Sequence, residues 1–333
     1  MNLLNDLTSD CSRRDFLRVT AGAAGAFALA SLPFTAAAKA PISKSARISL
    51  KDCLAMSPVS MAEKSPYVQS SFEYLVKTAN EIKDAEIRRT TVGILKNPAP
   101  TLMELYQSDS QKEILKQKLV AAGYLKPAAN YDEFLPPSQS PAKTLMPFYA
   151  APGSGYGSHH SYPGGLATHV GNNVKISLGL YNSYKDSYGS VMNRDIIIAA
   201  QTLHDLHKPW VFQWQENGAS RTEYPIAGTG AHHTLSTAEL IYRRQSPELI
   251  VAMAHAHSHS GTTKDEEHLV NYIKAAAIIA QQDPVAYGLL SKTGETVPIP
   301  RRGEGYITFL GDHDWIFSVP SAKWLIPQLG EIA

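Results

Sequence analysis

A chain of 333 residues, 44% of them hydrophobic, is long enough to bury a substantial core as one large domain or two modest ones. Its 31 basic and 30 acidic residues leave a formal charge of +1, which excludes a general electrostatic nucleic-acid binder and a disordered acidic tail. Two cysteines exclude a disulfide-stapled scaffold and a cysteine-rich zinc module, whereas all 12 histidines fall between His159 and His313. Imidazole is the commonest metal ligand and the usual proton shuttle, so the chemistry is expected in the second half of the chain.

The first forty residues read as an address rather than as fold. Ser12-Arg13-Arg14-Asp15-Phe16-Leu17 precedes an Ala/Gly-rich apolar run from Val19 to Leu32 and then Ala36-Ala37-Ala38. The run is too short for a comfortable membrane span, which takes about 20 apolar residues. Paired arginines ahead of Phe-Leu are similar to a bacterial twin-arginine export signal, which implies the export machinery as a partner and a periplasmic or extracellular destination. Cleavage is expected after Ala38, since Pro41 follows the alternative bond at Ala40. Cys11 would then leave with the signal, and Cys53 would stand alone with no intramolecular disulfide partner.

From about Ser57 to Tyr124 the apolar spacing is helical, as in Phe72, Leu75, Val76, Ala79 and Ile82 and again in Ile114, Leu115, Leu119 and Val120. Ser108 or Asp109 offers an N-cap for the second of these helices, and Gly123 a C-cap. Six prolines and three glycines between 127 and 157 mark a linker or ordered arm. Helical spacing returns from Pro163 onward, in Arg194–Leu206, Thr234–Arg244, Pro247–His257 and Glu266–Gln282. Gly305–Leu310 and Trp315–Val319 alternate around Gly311-Asp312-His313-Asp314 and are expected to form a β-hairpin.

The strongest local signal is Leu203-His204-Asp205-Leu206-His207-Lys208 at the end of an apolar helix. An adjacent imidazole and carboxylate can converge on one metal ion there, and an Asp can bridge two. His159-His160-Ser161-Tyr162-Pro163-Gly164-Gly165-Leu166-Ala167-Thr168-His169 stands upstream. Downstream come Ala231-His232-His233, then Ala254-His255-Ala256-His257-Ser258-His259, and finally Gln282-Asp283-Pro284 closing a helix. The ordered set His, His-Asp, His, His, Asp resembles the HD superfamily of metal-dependent phosphohydrolases over roughly residues 156–290. The segment from Tyr162 to His169 looks most like the subgroup that includes 3′–5′ exoribonuclease HD domains.

The resemblance implies a mainly α fold: an HD-domain helical bundle at 158–290, with a helical N-terminal region at 39–126 and a proline-rich arm at 127–157. A tail at 291–333 would carry the small hairpin, behind a signal peptide at 1–38. It implies His169, His204, Asp205, His233, His255 and Asp283 as metal ligands, with Asp205 bridging if two ions bind. His233 matches because Glu239 and Leu240-Ile241 follow at the family's spacing; His232 and His257 are the alternatives to His233 and His255. Asp205 and Lys208 would be catalytic, the lysine engaging a phosphate oxygen with His160 as a further candidate. His159, His207, His259, His268 and His313 are expected to be exposed or locally hydrogen-bonded.

The implied cofactor is one or two divalent ions (manganese, iron, zinc, nickel or magnesium), which would activate water against a phosphomonoester or phosphodiester, nucleotides included. A di-iron oxygenase on a similar ligand set, and a non-catalytic periplasmic metal- or ligand-binding module, are the alternatives. The expected partner is a small phosphorylated substrate. Scattered tyrosines predict no stable nucleic-acid binding, and the mature chain no membrane span.

Overall fold

The computed structural model describes residues 48–313 except 139, 156 and 157. The signal-peptide reading of residues 1–38 and the second expected hairpin strand, Trp315–Val319, lie outside the described residues. Short helices α1 (Leu50–Leu54) and α2 (Pro58–Lys64) lead into α3 (Pro66–Asn80), α4 (Ala85–Lys96) and α5 (Asp109–Ala121). From α2 onward each of these starts where its sequence supplies an acceptor for the orphan N–H groups of a first turn, Ser57 doing so for α2. Ser65 and Asp84 cap α3 and α4, and Ser108 closes a capping box with Gln111 at α5.

The proline-rich arm contains one short helix, α6 (Tyr131–Phe134), and a 3₁₀ turn at Phe148–Ala150. The Pro136 and Pro137 carbonyls accept from Trp210 Nε1 and Gln213 Nε2, which ties the arm to the second half. Then follow α7 (Gly165–Tyr188), α8 (Arg194–Leu203), α9 (Lys208–Val211), α10 (Ala231–Tyr242), α11 (Pro247–Ala254), a 3₁₀ turn His255–His257, α12 (Thr263–Ile279) and α13 (Gly303–Gly311). The long α7 runs about 36 Å. It packs against α3, α8 and α13, while α10 packs on α12 and α11 on α8.

One hydrophobic cluster runs from Ile82, Ile94 and Leu119 in the N-terminal helices to Ile198, Leu235 and Ile273 in the later ones. A second joins Leu75 and Leu95 to Leu166, Val170 and Val174 on α7. The helical extension is therefore packed into the same interior as the histidine-bearing helices. Burial of this kind is the main favourable term in folding. Among the described residues β structure is limited to isolated bridges, and no helix is long and apolar enough to cross a membrane.

Among the described residues the structure reverses the first strand of the expected hairpin. Gly305–Leu310 lies within α13, with Glu304, Ile307, Thr308 and Gly311 on its buried face at helical spacing. Alternation of Tyr306, Thr308 and Leu310 imitated a strand. Tertiary packing decides otherwise: a Cβ on Gly311 would run into Ser177 and Gln201, so this glycine lets α13 close onto α7 and α8.

Candidate metal centre

Three helices end at one buried point. His204 is the C-cap of α8, His257 follows the C-cap of α11 by two residues, and Asp312 is the C-cap of α13. Helix C-termini carry partial negative charge, so their convergence favours a cation. His169 joins them from the second turn of α7, and His232 and His233 from the first turn of α10. Asp205, fully buried, sits in the middle.

Its two oxygens face different neighbours. Oδ2 lies 3.3 Å from His169 Nε2, 3.1 Å from His204 Nε2 and 2.5 Å from Lys208 Nζ. Asp312 Oδ1 closes that side, 3.1 Å from His169 Nε2 and 2.9 Å from His204 Nε2. Asp205 Oδ1 instead faces His232 Nε2 at 3.4 Å and His257 Nε2 at 3.6 Å. Two groups result, His169-His204-Asp205-Asp312 and His232-His233-His257, each with its ligand atoms within 4.8 Å of one another.

The surrounding hydrogen bonds fix which nitrogen points inward. His204 Nδ1 donates to the Gln201 carbonyl at 2.7 Å, which leaves Nε2 toward the carboxylates. His232 Nδ1 is 2.7 Å from Glu223 Oε2. His233 stacks on His257 with ring centroids 3.4 Å apart, its Nδ1 2.5 Å from Thr229 Oγ1. Burial alone would push His204 down, but Asp205 and Asp312 together raise its pKa to about 10. A cation entering here therefore competes with a proton. Burial likewise opposes ionisation of Asp205, yet His204 and Lys208 hold its carboxyl well below the usual range. His159, tilted over the His169 ring at 4.8 Å, is pushed down to about 2 by burial and by Lys208.

The residues fit a metal. His204 Nε2, His257 Nε2 and both Asp205 oxygens are buried without a hydrogen-bond partner, although each faces the cluster at close range. Buried polar atoms left in this way are costly, and cations bound on the two sides of Asp205 would satisfy them. The buried His/Asp cluster could thus hold a metal ion.

Of the six ligands expected from sequence, the structure gathers His169, His204, Asp205 and His233 at this point. It leaves two outside. His255 is spent on other partners, with Nδ1 2.7 Å from the Val251 carbonyl and Nε2 3.1 Å from Ser260 Oγ. Asp283 accepts the Ala286 N–H at 2.7 Å, as a turn cap beyond α12. Asp312 stands in the place expected of Asp283, and His257 in that expected of His255; His232 faces Asp205 more directly than His233 does. Asp312 was hidden by reading its helix as a strand, although it follows an apolar helix end just as His204-Asp205 does.

Lys208 is almost wholly buried, its ammonium held by Asp205 and by the Gly153 carbonyl. His160 is buried beside Tyr162, with Nδ1 3.1 Å from its hydroxyl. His207 is neither exposed nor bonded only within its own turn. It is enclosed, 3.3 Å from Glu239 Oε2 and edge-on to Trp210.

A mainly helical chain with a buried carboxylate serving two histidine groups defines a class of candidate metalloproteins. Comparison with known proteins makes this narrower. A dihydroneopterin 2′,3′-cyclic phosphate phosphodiesterase from Methanocaldococcus jannaschii is 30% identical over 208 residues, 61% of this chain and 68% of that protein. The chain belongs to the same family as that phosphodiesterase. No protein-family profile matches it, and no solved structure does.

Proposed function

We propose that this protein is an HD-type, metal-dependent phosphohydrolase that cleaves a phosphomonoester or phosphodiester. The observation that carries the reading is Asp205, a buried carboxylate whose two oxygens face separate histidine groups, Oδ2 toward His169 and His204 with Lys208 beside it and Oδ1 toward His232 and His257. The relative acts on a 2′,3′-cyclic phosphate, so a cyclic phosphodiester is the first substrate class to try.

His169, His204, Asp205 and Asp312 would hold one divalent ion, and His232, His233 and His257 with Asp205 Oδ1 a second. The imidazoles of this set suit iron, zinc or nickel, and its two carboxylates make room for manganese as well, whereas magnesium prefers an all-oxygen shell. When bound, such ions acidify water and polarise phosphoryl oxygens. The remaining work falls to the chain. Gln201 and Glu223 fix the histidine orientations, and burial keeps the dielectric low so that each charge acts strongly. Lys208 supplies positive charge beside Asp205 where a phosphoryl group gathers negative charge. Substrate would enter beside His257 and Asp312, whose side chains are 13% and 11% exposed while Asp205 and His204 are at 0%.

Purified with manganese, the protein should hydrolyse bis(p-nitrophenyl) phosphate and a 2′,3′-cyclic nucleotide, and lose both activities on chelation. Full activity in His204→Ala would refute the assignment. We propose in addition that residues 1–38 direct twin-arginine export. A reporter fused to them should reach the periplasm, and Arg13→Lys with Arg14→Lys should hold it in the cytoplasm.

A further inference from the structure

Glu223 stands behind one of the histidines just assigned. It lies in the loop between α9 and α10, which reaches the start of α10 at Gly230. Its Oε2 is 2.7 Å from His232 Nδ1 and also accepts the His232 backbone N–H at 3.3 Å. The approach depends on Gly230. A Cβ there would lie 2.8 Å from both carboxylate oxygens, so no other residue leaves room for Glu223 without displacing it.

A carboxylate only accepts, so the proton of the His232 ring must sit on Nδ1. That leaves Nε2 facing inward, 3.4 Å from Asp205 Oδ1, where a bound cation would take its lone pair. His204 has its own Nδ1 on a neutral carbonyl, the weaker of the two arrangements for raising ligand basicity. The two halves of the centre are thus supported differently.

We propose that Glu223 is a positioning residue that fixes the tautomer and orientation of His232, and through it sets the affinity of the metal position shared by Asp205 Oδ1 and His257. The assignment rests on the metal reading above. Outer carboxylates of this kind are worth about 10–100-fold in metal affinity. The competing role is structural: Glu223 brings negative charge to the N-terminus of α10, which would stabilise that helix whether or not a metal binds.

The test is titration of manganese(II) into the chelator-treated full chain, comparing wild type, Glu223→Gln, His232→Ala and the double variant, with thermal melting of each metal-free form alongside. Glu223→Gln keeps the shape and an acceptor oxygen, and so should melt close to wild type. One manganese equivalent should weaken by roughly 10–100-fold, while binding at the His169-His204-Asp312 side is unchanged. In the His232→Ala background Glu223→Gln should produce no further loss. Wild-type affinity in Glu223→Gln overturns the proposal, as does a loss that persists undiminished once His232 is gone. If wild type takes up no manganese, the metal reading falls and this assignment with it, an outcome distinct from the other two.

Discussion

Asp205 and Glu239 are both fully buried carboxylates, each with a histidine in close contact and a basic side chain beside it. Glu239 is answered within the chain. Oε1 accepts from Thr101 N, Thr101 Oγ1 and Arg243 Nε at 3.1, 2.5 and 2.7 Å, and Oε2 from Leu102 N at 3.0 Å. Asp205 receives no aligned donor; its neighbours are imidazole nitrogens and an ammonium at ion-pair distance. A buried charge with its hydrogen bonds complete is a joint of the fold, here sewing the N-terminal region to α10. One left incomplete among ligand atoms is a place for something else to bind.

The sharpest way to break this contrast is to neutralise each group in turn. Asp205→Asn should lower phosphodiesterase activity by roughly 10²–10³-fold or more, the scale of losing a preorganised charge at a reacting centre. Metal content should fall with it, measured by elemental analysis of the purified protein. Asp312→Asn should act in the same direction, because its carboxylate closes the same group of ligand atoms. Retained metal and activity in both would mean that the cluster is a structural network like that of Glu239. Glu239→Ala should do the opposite: about 3–5 kcal/mol less stability in urea unfolding, with metal content per folded molecule unchanged.

Much of this was legible in the sequence, for a physical reason. A His-Asp pair at the end of an apolar helix has only one buried place to go, so His204 and Asp205 were identifiable without coordinates, as was His169 after its glycine pair. Capping chemistry placed the start of the helix after Ser108 for similar local reasons. What could not be read was set by contacts far away in the chain. α13 has three glycines, poor helix formers, and becomes a helix because its small residues let it close on α7 and α8. The choice of His257 over His255 follows from Val251 and Ser260 occupying both nitrogens of the latter, which spacing alone does not disclose.

The comparison also makes a prediction about pH. Burial opposes ionisation of Glu239, but His207 and Arg243 hold its pKa down to about 2, against an ordinary value of 4.5. A carboxylate depressed in the folded state contributes stability that is fully present above its unfolded pKa and is lost as pH falls through the folded one. Between about pH 4.5 and 2 the wild type should lose roughly 3 kcal/mol from this group alone. Glu239→Gln, which has no proton to take up, should show a correspondingly shallower acid limb in denaturation measured across that window. Equal slopes in the two proteins would remove Glu239 from the role of joint.

The smallest effect separates two aspartates that each follow a helix end. Asp283 gives its Oδ1 to the Ala286 N–H and belongs to neither group of ligand atoms. Asp283→Ala should therefore cost about 1 kcal/mol, the usual worth of a side-chain cap, and leave metal content and activity as they were. Asp312→Asn should spare most of the stability and take the metal. Measured side by side, the pair tests whether the last carboxylate of the centre belongs to the turn after α12 or to the end of α13. If Asp283→Ala strips the metal and Asp312→Asn does not, the ligand assignment built on α13 is reversed.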